Sequence, residues 1–554
     1  MEKVWWKEAV CYQVYPRSFM DSNGDGIGDL RGILSKLDYL EHLGIDVIWI
    51  CPFYQSPNAD NGYDISDYQQ TAKEYGTMAD FDELLKEAHS RNMKIILDLV
   101  VNHTSDEHPW FIESRSSKTN SRRDWYIWKD GKNGAEPNNW ESIFSGSAWK
   151  YDKTTEQYYL HLFAEKQPDL NWENNEMRTA VYGMINWWLD KGIDGFRVDA
   201  ISHIKKREAF PDMPNTEGKK YVESFDMHMN QPGIQKYLRD LKESTFAKYD
   251  IMTVGEANGV LCNQASEWVS EKNGIFNMVF QFEHINLWSQ NARNGFDVVA
   301  FKSTLSKWQT ALLGVGWNAL YLENHDIARS VSTIGNCGQY WRESAKMLAM
   351  MYFFMQGTPF IYQGQEIGMT NADYTSIEDY DDIRFKNFYY TQIKDGANPD
   401  ELLEIIQKTG RDNARTPMQW SAELNAGFTA GVPWLKVNSN YTSINAASQQ
   451  NDENSILAFY QRMIHLRKSN EVLIYGSYAL LFENDPNVFV YKREYEGKIA
   501  IVVCNMKADK PVVHLDDDRD QYEILLTNVA QNQIDSQFTI QLQPYEAILF
   551  VSKA

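Results

Sequence analysis

The feature that most constrains this chain is a series of eight short, β-rich apolar runs between residues 10 and 362. They are Val10–Tyr15, Val47–Cys51, Lys94–Val101, Gly195–Val198, Ile251–Val254, Met278–Phe282, Ala319–Leu322 and Pro359–Tyr362. Amphipathic stretches separate most of them. In Met78 to Ser90, for example, Phe81, Leu84, Leu85 and Ala88 recur at the helical period. Strand–helix alternation favours parallel pairing, because each helix carries the chain back to the same end of the sheet. Eight such units predict an α/β fold closed into a (β/α)₈ TIM barrel.

Two long segments interrupt the alternation. Residues 104–171, rich in Trp, Asn, Ser and Gly, are too many for a loop and predict a small domain inserted after the third strand. Residues 370–454 form a second excursion after the eighth. From Ser477 onward the pattern turns to alternation, as in Val488-Phe-Val-Tyr491 and Ala547-Ile-Leu-Phe550, and predicts an antiparallel β-sandwich. The expected division is a barrel (1–103 and 172–476), an insert (104–171) and a C-terminal sandwich (477–554).

The net charge of −22 lacks the basic footprint of a nucleic-acid binder and opposes attraction to an anionic membrane. Aromatics make up 14% of the chain; a large core accounts for most of them, and some of the rings suit the apolar faces of sugars. The first eight residues contain no apolar run of signal-peptide length, and Met347–Met355 is too short to span a bilayer. The five cysteines (Cys11, Cys51, Cys262, Cys337, Cys504) are odd in number and show no CxxC spacing. Free thiols in a reducing compartment follow, and with them a cytoplasmic protein, a monomer or a weak homo-oligomer.

Barrel enzymes carry their chemistry at the C-terminal ends of the strands. Here those ends read Asp98-Leu-Val-Val-Asn102-His103, Gly195-Phe-Arg197-Val-Asp199, Val254-Gly-Glu256 and Glu323-Asn-His325-Asp326. A lone Asp or His at such a place is an ordinary polar residue. Asp199, Glu256 and Asp326 converging on one face are not, because buried carboxylates are costly unless paired or functional. Converging carboxylates without a His/Cys metal cluster suit glycoside hydrolysis, in which two of them flank an oxocarbenium-like transition state.

In order, spacing and residue type these segments resemble the signature regions of glycoside hydrolase family 13, the α-amylase superfamily. A further segment, Gln167-Pro-Asp-Leu-Asn171, resembles the form found in the oligo-1,6-glucosidase/α-glucosidase subfamily. The likeness covers essentially the whole chain. It implies Asp199 as nucleophile, Glu256 as general acid/base and Asp326 as the third carboxylate, with Arg197 keeping Asp199 ionised. It implies hydroxyl-binding roles for His103 and His325, and a grip on the non-reducing glucose by Asp60 and Tyr63. Arg411 would pair with Asp60 and close the pocket, with Arg415 as the rival. Phe144, Phe163 and Gln167 would wall it. Ala200 and Asn258 would border the leaving sugar. Such a pocket takes short substrates from one end, and the small Ala200 leads to an expected preference for α-1,4 links over α-1,6.

A second motif, Asp21-Ser-Asn23-Gly-Asp25-Gly-Ile27-Gly-Asp29, places oxygen ligands at alternating positions with glycine at the sixth, as in a Ca²⁺ loop. Gly32 stands where an EF-hand has its bidentate Glu. The resemblance implies the same loop, so a structural Ca²⁺ held by Asp21, Asn23, Asp25, Ile27 and Asp29 is expected, with Mg²⁺ the alternative. The competing functions are an oligo-1,6-glucosidase, a trehalose-6-phosphate hydrolase, a sucrose isomerase and a non-catalytic transporter heavy chain. The last is opposed by the three retained carboxylates and the lack of an apolar span. The isomerase is opposed by the absence of an Arg-Leu-Asp-Arg-Asp-like loop.

Overall fold

The computed structural model describes residues 2–287, 295–530 and 533–553. The eight runs form strands β1 (Cys11–Val14), β2 (Val47–Ile50), β3 (Lys94–Val100), β4 (Gly195–Asp199), β5 (Met252–Glu256), β6 (Met278–Phe280), β7 (Ala319–Leu320) and β8 (Thr358–Tyr362). They make one sheet in the order β6-β5-β4-β3-β2-β1-β8-β7, every pair parallel. The two ends of that order are consecutive strands, so the sheet curls to near closure as a TIM barrel. Barrel strands are covered on both faces, inside by layered side chains and outside by helices. The run Val47-Ile-Trp-Ile50 accordingly has no exposed position.

Helix α1 spans Met78–Ser90. Thr77 and Asp80 close a capping box at its start, and Phe81, Leu84, Leu85 and Ala88 form its buried face. The insert builds a three-stranded antiparallel sheet from Trp128–Lys129, Gln157–Leu160 and Trp149–Asp152. It is not self-contained. The chain after β4, assigned by sequence to the barrel alone, pairs Val222–Glu223 with Trp140–Glu141 and packs Phe210 and Met213 against the insert's apolar cluster.

The excursion after β8 holds helices α2 (Ile383–Lys394) and α3 (Pro399–Thr409) around Tyr374, Tyr380 and Ile406. It then returns to the barrel mouth carrying Arg411 and Arg415. At the C-terminus a five-stranded and a three-stranded sheet enclose Val490, Ile501, Phe538 and Phe550. Tyr491 donates to the carbonyl of Met351 at 3.0 Å, docking this domain on a barrel helix. Among the described residues no helix is long and apolar enough to cross a membrane.

Candidate active site

The register of β4 and β5 sets the site. Val198 lies opposite Gly255, so Asp199 and Glu256 end neighbouring strands at the same height. Gly195 has φ +141°, and a Cβ there would stand 1.8 Å from the carbonyl oxygen of Met252. Only glycine lets β4 start this close to β5.

Arg197, beneath these two carboxyls and 1% exposed, ties the floor together. Its guanidinium lies 2.6 Å from Asp98, 2.6 Å from Asp199 and 2.9 Å from Glu256. The other oxygen of Glu256 accepts the backbone N–H of Ala200 at 2.8 Å. Ala200 adopts a left-handed conformation, φ 44°, to present that N–H.

Burial pushes Asp199 up to about 7 against the pull of Arg197. Arg197 favours the ionised form as expected, through its charge and its hydrogen bond, but one guanidinium is divided among three carboxylates and burial outweighs its share. Burial also lifts Glu256, to about 8, with Arg197 opposing and Asp199 adding. Glu256 therefore remains the weaker acid of the two.

Asp326 lies on the loop beyond β7. Arg415 reaches its Oδ1 at 2.7 Å and Arg411 at 3.1 Å, while His325 stands 3.4 Å from its Oδ2. Burial pushes the carboxyl up, but His325, Arg411 and Arg415 outweigh it and hold Asp326 well below the usual carboxylate range. The Gln13 amide meets His325 Nδ1 at 2.8 Å, which leaves Nε2 to carry the ring proton. That Nε2 is the atom facing Asp326 Oδ2 at 3.4 Å, and it makes no hydrogen bond among the described residues. Tyr63 stacks on the His325 ring at 5.2 Å, nearly parallel. Burial pushes His103 down to about 4, so it too is neutral near pH 7.

One end of the cavity is closed. Arg411 Nη2 lies 3.3 Å from Asp60, whose other oxygen accepts from Gln167 at 3.1 Å. Burial lifts Asp60 to about 6 despite Arg411. Arg411, not Arg415, spans to Asp60. Asp382, which the sequence did not single out, grips Arg411 through two bonds of 2.7 and 2.6 Å and also caps α2. The only signal for Asp382 in the sequence is an Asp preceding a helical stretch, which predicts a cap and not a distant arginine.

The cavity measures about 720 Å³. Asp60, Tyr63, His103, Phe144, Phe163, Asp199, Ala200, Glu256, Asn258, Asp326 and Arg411 line it, as do His203, Glu223, Phe225, Arg384, Phe385 and Phe388, which were not foreseen. Gln167, expected as a wall, is instead buried behind Asp60 and His103, 3.2 Å from the His103 ring. Arg197 and His325 likewise stand behind the lining.

The loop from Asp21 to Asp29 is wound on its own side chains. Asp21 accepts the N–H groups of Asn23, Gly24 and Gly26, Asn23 accepts that of Asp25, and Asp25 accepts that of Ile27. Asp29 caps the following helix through the N–H of Gly32. Among the described residues no three His, Cys, Asp or Glu side chains gather closely enough to hold a metal ion. The donors offered are all oxygens, suited to a hard cation, but Asp29 is engaged as a cap.

A barrel with paired carboxyls at adjacent strand ends, a third carboxylate opposite and one closed end is the site of a glycoside hydrolase. The chain matches the family described as "Alpha amylase, catalytic domain" over residues 13–476, and it belongs to that family. It is 57% identical over 552 residues to probable oligo-1,6-glucosidase 3 of Bacillus subtilis (strain 168), covering 100% of both chains. It is 52% identical over 557 residues to the oligo-1,6-glucosidase of Parageobacillus thermoglucosidasius, covering 99% of each. Among solved structures, a mutant trehalose-6-phosphate hydrolase of Bacillus licheniformis superposes with a TM-score of 0.93 at 44% identity, covering 100% of both chains.

Proposed function

We propose that this protein is an exo-acting, retaining α-glucosidase that removes single glucose units from the non-reducing ends of short α-glucosides, with α-1,6 links preferred. The carrying observation is the shared Arg197 beneath Asp199 and Glu256 in a pocket closed by Asp60 and Arg411. A retaining mechanism needs carboxyls about 5–5.5 Å apart, and one guanidinium bonded to both at 2.6 and 2.9 Å keeps them close.

In the first step the Asp199 carboxylate attacks the anomeric carbon. The proton of the Glu256 carboxyl passes to the glycosidic oxygen, and the leaving sugar departs. In the second, Glu256 takes a proton from water, the water oxygen attacks the same carbon, and the bond to Asp199 breaks. Two inversions release α-glucose. Arg411 and Asp60 hold the terminal glucose hydroxyls, neutral His103 donates to or accepts from its ring substituents, and His325 backs Asp326 from behind the cavity wall. A second sugar in place of water gives transglycosylation as a side activity.

The linkage preference follows the relatives, both named for α-1,6 cleavage, and replaces the α-1,4 preference expected from Ala200. The lone methyl of Ala200 in the cavity wall still supports α-1,4 cleavage as a second reading. Ca²⁺ on the Asp21–Asp29 loop, supported by its oxygen-only donors, has a structural role in this proposal and takes no part in either step. A cytoplasmic location is supported by the five unpaired cysteines.

The test is NMR of freshly released product together with initial rates on isomaltose, maltose, sucrose, trehalose and trehalose-6-phosphate. α-Glucose appearing first, with isomaltose the best substrate, is expected. β-Glucose appearing first overturns the mechanism, and a preference for maltose overturns the linkage.

A further inference from the structure

Gln13 stands on β1, two residues after Cys11, whose sulfur meets that of Met252 on β5 across the barrel at 4.0 Å. Alternation along the strand turns Gln13 to the same interior, where layers of apolar side chains are the rule. It is 1% exposed. A buried amide is costly unless its hydrogens find acceptors. The amide nitrogen of Gln13 lies 3.2 Å from the sulfur of Cys51 and 2.8 Å from Nδ1 of His325.

Stacking already fixes the plane of the His325 ring. The rings of Tyr63 and Tyr15 lie 5.2 and 5.9 Å from it and are tilted by only 3° and 17°, while Trp49 meets it edge to face at 6.2 Å. Such packing is indifferent to which nitrogen holds the proton. The two ends of the ring are not. Nε2 faces Asp326 Oδ2 at 3.4 Å. A bare Nε2 would set its lone pair against a carboxylate oxygen, and an Nδ1–H would meet the amide hydrogens of Gln13. Both mismatches vanish in one state, the neutral ring with its proton on Nε2. An imidazolium is opposed as well, because both of its nitrogens donate and Gln13 turns a donor toward Nδ1.

The charges around the ring agree with that state. Burial holds His325 down to about 3, with Arg197, Arg415 and Arg411 adding and Asp326 opposing. The Cys51 thiol and the Tyr15 and Tyr63 phenols, the other titratable groups against it, are pushed up by burial and are neutral near pH 7. Neutrality of His325 matters to Asp326, whose Oδ1 already meets Arg411 and Arg415. A third cation would overcompensate this carboxylate. It would also oppose the positive charge that builds on the sugar in an oxocarbenium-like transition state.

We propose that Gln13 is a positioning residue that locks His325 as the neutral Nε2–H tautomer and so leaves Asp326 its full anionic character toward the sugar. The role of the sugar rests on the exo-glucosidase reading above; the tautomer does not. Neutron diffraction from deuterium-exchanged crystals of the wild type reads the tautomer directly. A deuteron on His325 Nε2, none on Nδ1 and an amide deuteron of Gln13 pointing at Nδ1 are expected. A deuteron on Nδ1 overturns the proposal.

Two variants, assayed on isomaltose and p-nitrophenyl α-glucoside, read the consequence. Gln13→Met keeps the volume and removes the donor, whereas Gln13→Glu keeps the shape and turns the donor into an acceptor. Asp326 serves the glucose common to both substrates, so kcat should fall equally on both. The loss should be roughly 10- to 100-fold, as for other outer partners that orient an imidazole, with KM little changed. Gln13→Glu should lose more than Gln13→Met. The acid limb of its kcat profile should also steepen, because a carboxylate at Nδ1 favours the imidazolium and adds a second protonation that stops turnover. Unchanged kcat in folded Gln13→Met, or a loss confined to KM with a lower Tm, makes Gln13 a packing residue and overturns the proposal. A milder effect of Gln13→Glu than of Gln13→Met overturns it too. Failure of the wild type to cleave the aryl α-glucoside overturns the glucosidase reading itself, an outcome on which the neutron map does not depend.

Discussion

Arg197 and Glu256 form an ion pair of 2.9 Å although the same guanidinium is already bound to Asp199 and Asp98. The carboxyls proposed as acid and as nucleophile thus draw on one counter-charge, and each titrates in the field of the other.

A narrow pH optimum follows. Asp199 must be ionised, which it becomes as pH rises through about 7. Glu256 must be protonated, which it ceases to be above about 8. The kcat/KM profile is expected to be a bell with its maximum between those values, falling tenfold per pH unit well outside them. A plateau extending down to pH 5 would show that Arg197 holds Asp199 far lower. Stability carries the opposite sign from the usual carboxylate. Both folded values are raised above the unfolded ones, so ionisation of these groups destabilises the fold as pH rises from about 4 to about 8. Glu256→Gln should therefore gain more Tm relative to wild type at pH 9 than at pH 4, measured by calorimetry.

The proposed nucleophile is tested by Asp199→Asn, which keeps shape and removes the attacking charge. Activity should fall on the order of 10⁴-fold or more with circular dichroism unchanged. Near-normal turnover in the folded variant would sink the assignment.

How much of this was legible in the sequence depends on the range of the interaction. The eight strands and α1 could be read because their apolar periods are local. The three carboxylates could be read because strand ends in a barrel must converge. The grip of Asp382 on Arg411 could not, because it joins residues brought together only by the return of α2 and α3 to the barrel mouth. Nor could the seating of Gln167 behind Asp60, or the elevation of Asp199, which depends on how thoroughly water is excluded and on how many acids one arginine serves.

Asp382→Asn tests that grip. It weakens a buried two-bond ion pair, and removing a buried partner costs up to about 3–5 kcal/mol. The loss should be smaller here, because Arg411 keeps Asp60 and Asp326. A lower Tm is expected together with a roughly 10- to 100-fold loss of kcat/KM carried mainly by KM, since a loosened Arg411 no longer holds the terminal glucose. A kcat loss at constant KM would place Asp382 elsewhere in the mechanism.

If the Asp21–Asp29 loop holds Ca²⁺ as proposed, a chelator should lower Tm by a few degrees, because an ion bound only to the folded state contributes about 2.7 kcal/mol at a concentration 100 times its Kd. Rates at low temperature should change little. Asp25→Ala should reproduce the lower Tm and make it insensitive to chelator. A Tm indifferent to both Ca²⁺ and Mg²⁺ would show that the loop is held by its own hydrogen bonds alone.

Ala200 makes two separable contributions, and Ala200→Val should reveal both. The first is steric. Ala200 lies in the cavity wall one residue past Asp199, and two added methyl groups crowd the ring of an α-1,4-linked leaving sugar. An α-1,6 link has an extra rotatable bond and carries that ring clear. A change of this size is worth roughly 1–3 kcal/mol, so the isomaltose-to-maltose ratio of kcat/KM should rise between about 10- and 200-fold. The second is conformational. Ala200 sits at φ 44° and gives its N–H to Glu256 at 2.8 Å. A β-branched side chain strains that backbone, at a cost on the order of 1–3 kcal/mol. The N–H bond favours the ionised form of Glu256, so weakening it should move the alkaline limb of the pH profile upward. Ala200→Gly separates the two effects: it relieves the left-handed strain, keeps the N–H and adds no bulk, so the limb should stay in place and the ratio should not rise. If Ala200→Val leaves the ratio unchanged while the limb moves, the residue serves the acid and not the linkage. If both stay fixed, Ala200 is neither a linkage determinant nor a support for Glu256.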